Sequence, residues 1–156
     1  MLRIAKLTDY AVGLMVHLAR GPERRVSAQQ LGLEMGLPVP TVASLLKRLT
    51  RAGMVVSSRG AVGGYRLARS AAGISVAEII AVIEGPLALT ECALREGNCS
   101  LEGRCATRGN WRLISRAVQV ALESVSLAAM AAPATSPVAI PVALHPLRPA
   151  LPLARE

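Results

Sequence analysis

The fold is decided by residues 27–53, which read SAQQLGLEMGLPVPTVASLLKRLTRAG. Ser27 and Gln30 stand three positions apart at the head of an apolar run, which is the pattern of a capping box at a helix start. Gly36 follows the last apolar residue, where glycine commonly ends a helix. The sequence therefore predicts a short helix over about 28–35.

A second helix follows after a tight turn that begins at Gly36. It is expected from near Pro40 to about Ala52, ahead of Gly53, because proline is favoured in the first turn and glycine just past the end. Two helices joined in this way form a helix-turn-helix, whose second helix reads the major groove of DNA. We expect its exposed face to supply base contacts early and phosphate contacts later, although single cations here are also compatible with ordinary solvated charges. The residues of that face are Thr41, Ser44, Lys47, Arg48 and Arg51.

The flanking segments complete a winged arrangement. Residues 8–20 have the apolar periodicity of a first helix, which stops at Gly21. Residues 54–68 are two short β-prone runs around a glycine-rich loop, with Arg59 at one end and Arg66 at the other. Such a hairpin is typical of a wing that meets DNA, although it also occurs in helical domains that do not bind DNA. We predict a mainly α fold with a small β-hairpin wing: a winged helix-turn-helix plus a long dimerisation helix.

The second half of the chain begins with another helix. Ser75 and Glu78 form a second capping box, and the helix that they begin closes at Gly85. A loop of about twenty residues follows. Over residues 110–132 the apolar positions alternate in spacings of three and four, which makes a wider apolar seam than a monomer usually buries. We expect one long helix there that forms a homodimer.

The chain thus divides into four parts. Residues 1–84 are the predicted DNA-binding domain, residues 85–109 a cysteine-bearing loop, and residues 110–132 the dimerisation helix. Residues 133–156 are rich in proline and alanine, and proline interrupts both helices and central strands. We therefore expect the last part to be a disordered tail.

The positive charge is concentrated in the first part. The chain has a net charge of +8, and residues 1–69 hold 11 Lys/Arg against 3 Asp/Glu, whereas residues 70–132 hold 5 against 6. This distribution is expected of a surface that meets a polyanion and, less specifically, of a solvated basic face. With no Phe, two Tyr and one Trp, the chain lacks the aromatic platforms on which single-stranded nucleic acids stack. Double-stranded DNA is the expected partner.

The sequence favours a cytoplasmic binding protein over an enzyme. No run approaches the roughly 18 apolar residues of a membrane helix, and Arg3, Lys6 and Asp9 leave no apolar signal-peptide core. The glycines of residues 60–64 precede strand-like sequence, unlike those of a nucleotide-binding loop. We recognise no paired acid and base and no nucleophile elbow, so no catalytic residue is predicted.

Three cysteines, Cys92, Cys99 and Cys105, share one polar loop with the spacing C-x6-C-x5-C. Disulfides are not expected in a cytosolic chain with an odd number of cysteines. Zinc prefers C-x2-C pairs and four protein ligands. Three thiolates leave one position for a labile group, which suits an iron–sulfur sensor. The spacing alone leaves open a cluster, zinc, and thiol chemistry without a metal.

Four stretches occur in an informative order: LTDYAVGLMVHLA, PTVASLLKRLTRAGMVVSSRGAVGGYRLA, ISVAEIIAVIEG, and the cysteine motif ahead of RGNWRLI. Over about residues 1–132 they resemble the IscR/NsrR kind of iron–sulfur-sensing transcription regulators, and most of all the branch that regulates SUF cluster-assembly operons. The resemblance implies a winged-helix dimer and a [2Fe–2S] or [4Fe–4S] cluster on the three cysteines. We therefore expect a regulator, such as a repressor, of iron–sulfur assembly genes, the alternative being a zinc- or thiol-based redox-responsive regulator.

The fourth cluster ligand departs from the IscR pattern. That branch has a histidine three residues after the last cysteine, where this chain has Arg108, which offers no lone pair to a metal. The NsrR branch uses an aspartate from the first helix of the partner subunit, and the matching residue is Asp9. The resemblance thus implies Asp9 as a ligand in trans, against its reading as a charge favoured by the helix dipole. His17 is read as a packing residue rather than a ligand.

Overall fold

The computed structural model describes residues 4–60, 63–94, 99–100 and 102–133. The mainly α architecture with one small antiparallel sheet confirms the predicted fold class. Two short 3-10 turns, Ala71–Gly73 and Glu102–Arg104, accompany the regular elements. Those elements are α1 (Lys6–Arg20), α2 (Ala28–Met35), α3 (Val39–Arg51), β1 (Val55–Ser58), β2 (Gly64–Leu67), α4 (Val76–Glu84), α5 (Glu91–Leu94), α6 (Arg108–Glu123) and α7 (Leu127–Ala131).

The helix-turn-helix consists of α2 and α3, as the sequence predicts. Both halves of the capping box are formed, since the Gln30 N–H donates to Ser27 Oγ (3.1 Å) and the Ser27 N–H donates to Gln30 Oε1 (3.0 Å). At the other end of α2, Gly36 adopts the left-handed φ of 65° that glycine accepts without strain. The Leu37 N–H then donates to Gly32 O (2.9 Å), which closes the turn into α3.

The core holds α3 by one face. Its apolar residues Val42, Leu45, Leu46 and Leu49 are fully buried in one cluster with side chains of α1. Burial of a leucine or valine side chain contributes about 1.5–3 kcal/mol. The core therefore fixes which side of α3 is available to a partner.

The glycine-rich segment forms a hairpin, as predicted, and its strand β2 also pairs with one residue from outside the hairpin. Val55 lies opposite Leu67 and Ser58 opposite Gly64, while Val26 forms a bridge with Tyr65 through two backbone hydrogen bonds of 3.1 and 2.9 Å. A Cβ atom on Gly64 would lie 3.0 Å from the Val26 backbone, and Gly64 has a φ of +152°. The glycine is therefore required by close strand packing rather than by a nucleotide.

The prediction of one uninterrupted helix over residues 110–132 was wrong, because the segment is divided between α6 and α7. Ser124 Oγ donates to Ala121 O (2.7 Å), and Ser126 Oγ accepts the Ala129 N–H (3.1 Å) as the cap of a new helix. These local side-chain bonds compete with helix continuation. Leu127 gains complete burial in the core, and its N–H donates to Ile74 O (2.7 Å). The last described helix, α7, therefore returns to the first part of the chain and packs against α1.

Within the described ranges no helix is long and apolar enough to cross a membrane. From residue 134 onward, the predicted tail lies outside the described residues.

The packing of α7 predicts a large effect of Leu127→Ala. Loss of this fully buried side chain should lower the free energy of unfolding by about 2–5 kcal/mol. Leu33→Ala is the control, since Leu33 is 77% exposed and its truncation should change stability by less than about 0.5 kcal/mol. Urea unfolding followed by circular dichroism measures both. Equally small effects would mean that α7 does not belong to the core.

Candidate functional site

The solvent face of α3 carries most of the predicted DNA-contact residues. Ser44, Lys47 and Arg51 are exposed, and Thr41 is half-buried in the first turn. Short hydroxyl side chains thus stand near the start of the helix and cations towards its end. This is the order that a recognition helix needs in order to reach base edges and phosphates.

The wing carries further exposed cations. Arg59 and Arg66 are exposed, and Arg66 lies on β2 opposite Val56. Sequence reasoning missed Arg25, which is exposed and donates a hydrogen bond to Ser58 Oγ on β1. Its only sequence signal was a basic pair just before Val26, the residue that joins the hairpin.

Arg48 is placed differently from its neighbours on α3. The expectation of an exposed Arg48 was wrong, since the residue is half-buried and its Nη2 donates to Val82 O (3.1 Å) and to Ile83 O. Both acceptors lie in the last turn of α4, where backbone carbonyls have no partner within the helix. The Arg48 guanidinium satisfies them, and its charge complements the negative end of the α4 dipole.

The same end of α4 also holds the start of α1. Glu84 Oε1 accepts a hydrogen bond from the Ala5 N–H (3.2 Å) and from Thr8 Oγ1 (2.5 Å), and Thr8 is fully buried. Ala5 is the N-cap of α1 and has no side-chain acceptor of its own for the free amides of the first turn. The last turn of α4 is therefore hydrogen-bonded to both α1 and α3.

The three cysteines are free thiols in different surroundings. Cys92 is buried on α5, where its Sγ lies 3.3 Å from Thr90 Oγ1, while Cys99 and Cys105 are half-buried. Among the described residues no group of three or more His, Cys, Asp or Glu side chains is close enough to hold a metal ion. Residues 95–98 and 101, which lie between the cysteines, fall outside the described ranges. The chemistry of the donors nevertheless suits iron, because thiolates are soft ligands.

The surroundings of Cys105 favour the thiolate form of its side chain. A hydrogen bond from the Thr107 hydroxyl, 3.4 Å from Sγ, lowers the pKa of the Cys105 thiol below its usual value. The Thr107 backbone and Arg108 lower the pKa further, while burial opposes them. Since the thiolate is the form that binds metals and attacks electrophiles, Cys105 is prepared for either reaction.

The other two ligand candidates, Asp9 and His17, have different surroundings. Asp9 is exposed on the first turn of α1 and thus accessible to another subunit. His17 is committed to a structural ion pair, since its Nε2 lies 2.6 Å from Glu34 Oε2, and Arg24 binds the same carboxylate at 2.8 Å. Arg24 and His17 together lower the pKa of the Glu34 carboxyl. His17 therefore links α1 to α2, in accord with its reading as a packing residue.

The outer surface of α6 is apolar. Trp111, Leu113, Ile114 and Val120 are between 41% and 71% exposed, although they are large hydrophobic residues. Contiguous exposed apolar surface of this kind commonly marks a protein–protein contact. The predicted dimerisation helix is shortened to α6, but α6 still exposes the apolar residues expected at a dimer contact.

Comparison with known proteins gives concordant results. A model of the Rrf2 family, described as iron-dependent transcriptional regulator, matches residues 4–133. The HTH-type transcriptional regulator IscR of Xenorhabdus nematophila is 34% identical over 127 residues, which cover 81% of this chain and 77% of the relative. The solved structure of T. potens IscR is 32% identical with a TM-score of 0.66, covering 83% of this chain and 85% of that chain. That of CymR, the global cysteine regulator of B. subtilis, is 32% identical with a TM-score of 0.69, covering 84% and 97%.

The surroundings of Cys105 predict the pH dependence of its alkylation. In a metal-free chain carrying Cys92→Ser and Cys99→Ser, Thr107→Val should move the midpoint of the iodoacetamide rate profile to higher pH. The reason is that the hydroxyl hydrogen bond favours the thiolate, so its loss raises the pKa of Cys105. Thr90→Val, beside Cys92, is the matched control and should leave the midpoint unchanged. An unmoved midpoint in Thr107→Val would contradict the assignment.

Proposed function

This chain belongs to the Rrf2 family of transcription regulators, and from that premise we propose that an iron–sulfur cluster on Cys92, Cys99 and Cys105 controls its affinity for duplex DNA. Family membership makes it a DNA-binding regulator rather than an enzyme. The observation that carries the proposal is the position of the thiols. Three free cysteines follow α4, and the end of α4 is hydrogen-bonded to the recognition helix.

The proposed DNA interface combines α3 and the wing. Thr41 and Ser44 are assigned to base edges, and the exposed cations to phosphates. The apolar face of α6 is assigned to a homodimer, which would present two recognition helices to half-sites about 34 Å apart. The phosphate-binding cations are Lys47, Arg51, Arg59 and Arg66, with Arg25 added at the wing.

The proposed cluster site uses the three thiols and, from the partner subunit, Asp9. When bound, the cluster would supply a group that reacts with oxidants or is lost when iron is scarce. A carboxylate holds iron less tightly than a thiolate does, so such a site would be labile, as a sensor requires. We assign iron–sulfur assembly genes as the targets, on the resemblance to the SUF-operon regulators and the similarity to IscR.

The second candidate function is a thiol-based redox-responsive regulator. The lowered pKa of Cys105 and the similarity to CymR, described as a global cysteine regulator, favour it. Such a protein would be colourless after anaerobic purification and would respond to oxidants through Cys105 without bound iron.

The interface predicts that Arg59→Ala weakens DNA binding without loss of fold, because the side chain is exposed at the wing. The slope of log affinity against log salt should fall by about two, as expected when each dimer loses two phosphate contacts. Fluorescence anisotropy with a duplex selected by the protein from a random pool measures this. Arg104→Ala, which removes an exposed cation outside α3 and the wing, should change neither the affinity nor the slope. An unaltered affinity and slope in Arg59→Ala would remove the wing from the interface.

The proposed cluster predicts that protein purified without oxygen is brown and contains iron and acid-labile sulfide. Cys99→Ser should lose most of both, because one of three thiolate ligands is removed. Asp9→Ala should keep the iron but show an altered visible spectrum and faster decay in air. The readouts are absorption spectra and iron and sulfide analysis.

Glu23→Ala is the matched control for Asp9→Ala, since it removes an exposed acid that the proposed cluster site does not use. An unaltered spectrum and decay in Asp9→Ala would show that Asp9 is only a charge at the helix end. Colourless wild-type protein without iron would contradict the cluster and support the thiol-based alternative.

A further inference from the structure

The contact between Arg48 and α4 joins the DNA-reading helix to the rest of the molecule. Arg48 directly follows the exposed Lys47 on α3, but its guanidinium lies against Val82 O and Ile83 O at the end of α4. One guanidinium nitrogen, Nη2, donates to both carbonyls and is therefore held against the end of α4. A shift of these carbonyls would therefore be transmitted to α3.

The same end of α4 continues directly into the segment that carries the first cysteine. Gly85 follows with a φ of +94°, and Cys92 comes eight residues after Glu84. Within this segment the Leu89 N–H donates to Ser115 Oγ (3.1 Å), and Ser115 is buried in α6. The segment is thus held at its start by α4 and in its middle by α6. A displacement of Cys92 therefore reaches the last turn of α4 along the backbone and through α6, which packs against both α5 and α4.

We propose that Arg48 is a positioning residue that couples the segment of residues 85–92 to the orientation of the recognition helix. It acts through the α4 carbonyls and not through a DNA phosphate. A change in the cysteine-bearing segment shifts the Val82 and Ile83 carbonyls that accept the hydrogen bonds of the guanidinium. Because Arg48 follows these carbonyls, the orientation of α3 changes with them. This coupling rests on the proposed function, because the event that moves the segment is gain or loss of the cluster.

The first arm of the test asks what Arg48 contacts, and it uses cluster-free protein. Arg48→Ala should lower DNA affinity and leave the slope of log affinity against log salt unchanged, because no phosphate contact is lost. Lys47→Ala, the matched control on the same helix, should reduce that slope by about two, because each dimer loses two phosphate contacts. A reduction of that size in Arg48→Ala would overturn the positioning role.

The second arm measures coupling as the ratio of dissociation constants with and without the cluster. In Arg48→Ala the ratio should fall to within about twofold of one, whereas Lys47→Ala should keep the wild-type ratio. Arg48→Lys keeps the charge, and its ammonium can donate to both carbonyls from one nitrogen as Nη2 does, so it should retain more of the coupling than Arg48→Ala. Circular dichroism confirms that each variant is folded.

The outcomes separate this inference from the proposed function. A wild-type ratio above one that Arg48→Ala also retains would overturn the coupling alone. A wild-type ratio of one would overturn the proposed function and the coupling together. The salt comparison needs no cluster, so in every case it decides whether Arg48 lies at a phosphate.

Discussion

The unpaired carbonyls in the last turn of α4 are the constraint on which the arrangement of this molecule depends. Arg48 from α3 binds two of them, and Glu84 in the same turn supplies the acceptor that α1 lacks at its start. A buried carbonyl without a hydrogen-bond partner lowers the stability of the fold, so these hydrogen bonds hold α1 and α3 against the end of α4. The helix α3 is therefore held by its apolar face and by one arginine, and its remaining polar face is the surface proposed to contact DNA.

Elements specified by neighbouring residues were predictable from the sequence. The capping boxes at Ser27 and Ser75, and the apolar stripe of α3, depend on contacts within a few positions. The break before Leu127 and the inward turn of Arg48 were not predictable, because each depends on partners more than thirty residues away. The alternating seam of residues 110–132 is compatible with one long helix or with two, and the Ser126 cap together with the burial of Leu127 in the core favours two.

The candidate site was predictable in its residue types more than in its geometry. Charge and position identified the exposed cations of α3 and the wing, but Arg25 carried too weak a local signal. The spacing of the cysteines left three chemistries open, and the Rrf2 match favours regulation through iron. The thiols add a physical route for such regulation, since Cys92 lies a few residues beyond the turn that holds α3.

The most direct measurement compares the DNA affinity of one anaerobic preparation before and after the cluster is removed. A duplex selected from a random pool serves as the probe, and salt and protein concentration are held constant. Our account predicts dissociation constants that differ by about tenfold or more, within the range of 5–150-fold typical of coupled sites. Equal constants, with iron and sulfide present in the loaded sample, would contradict it.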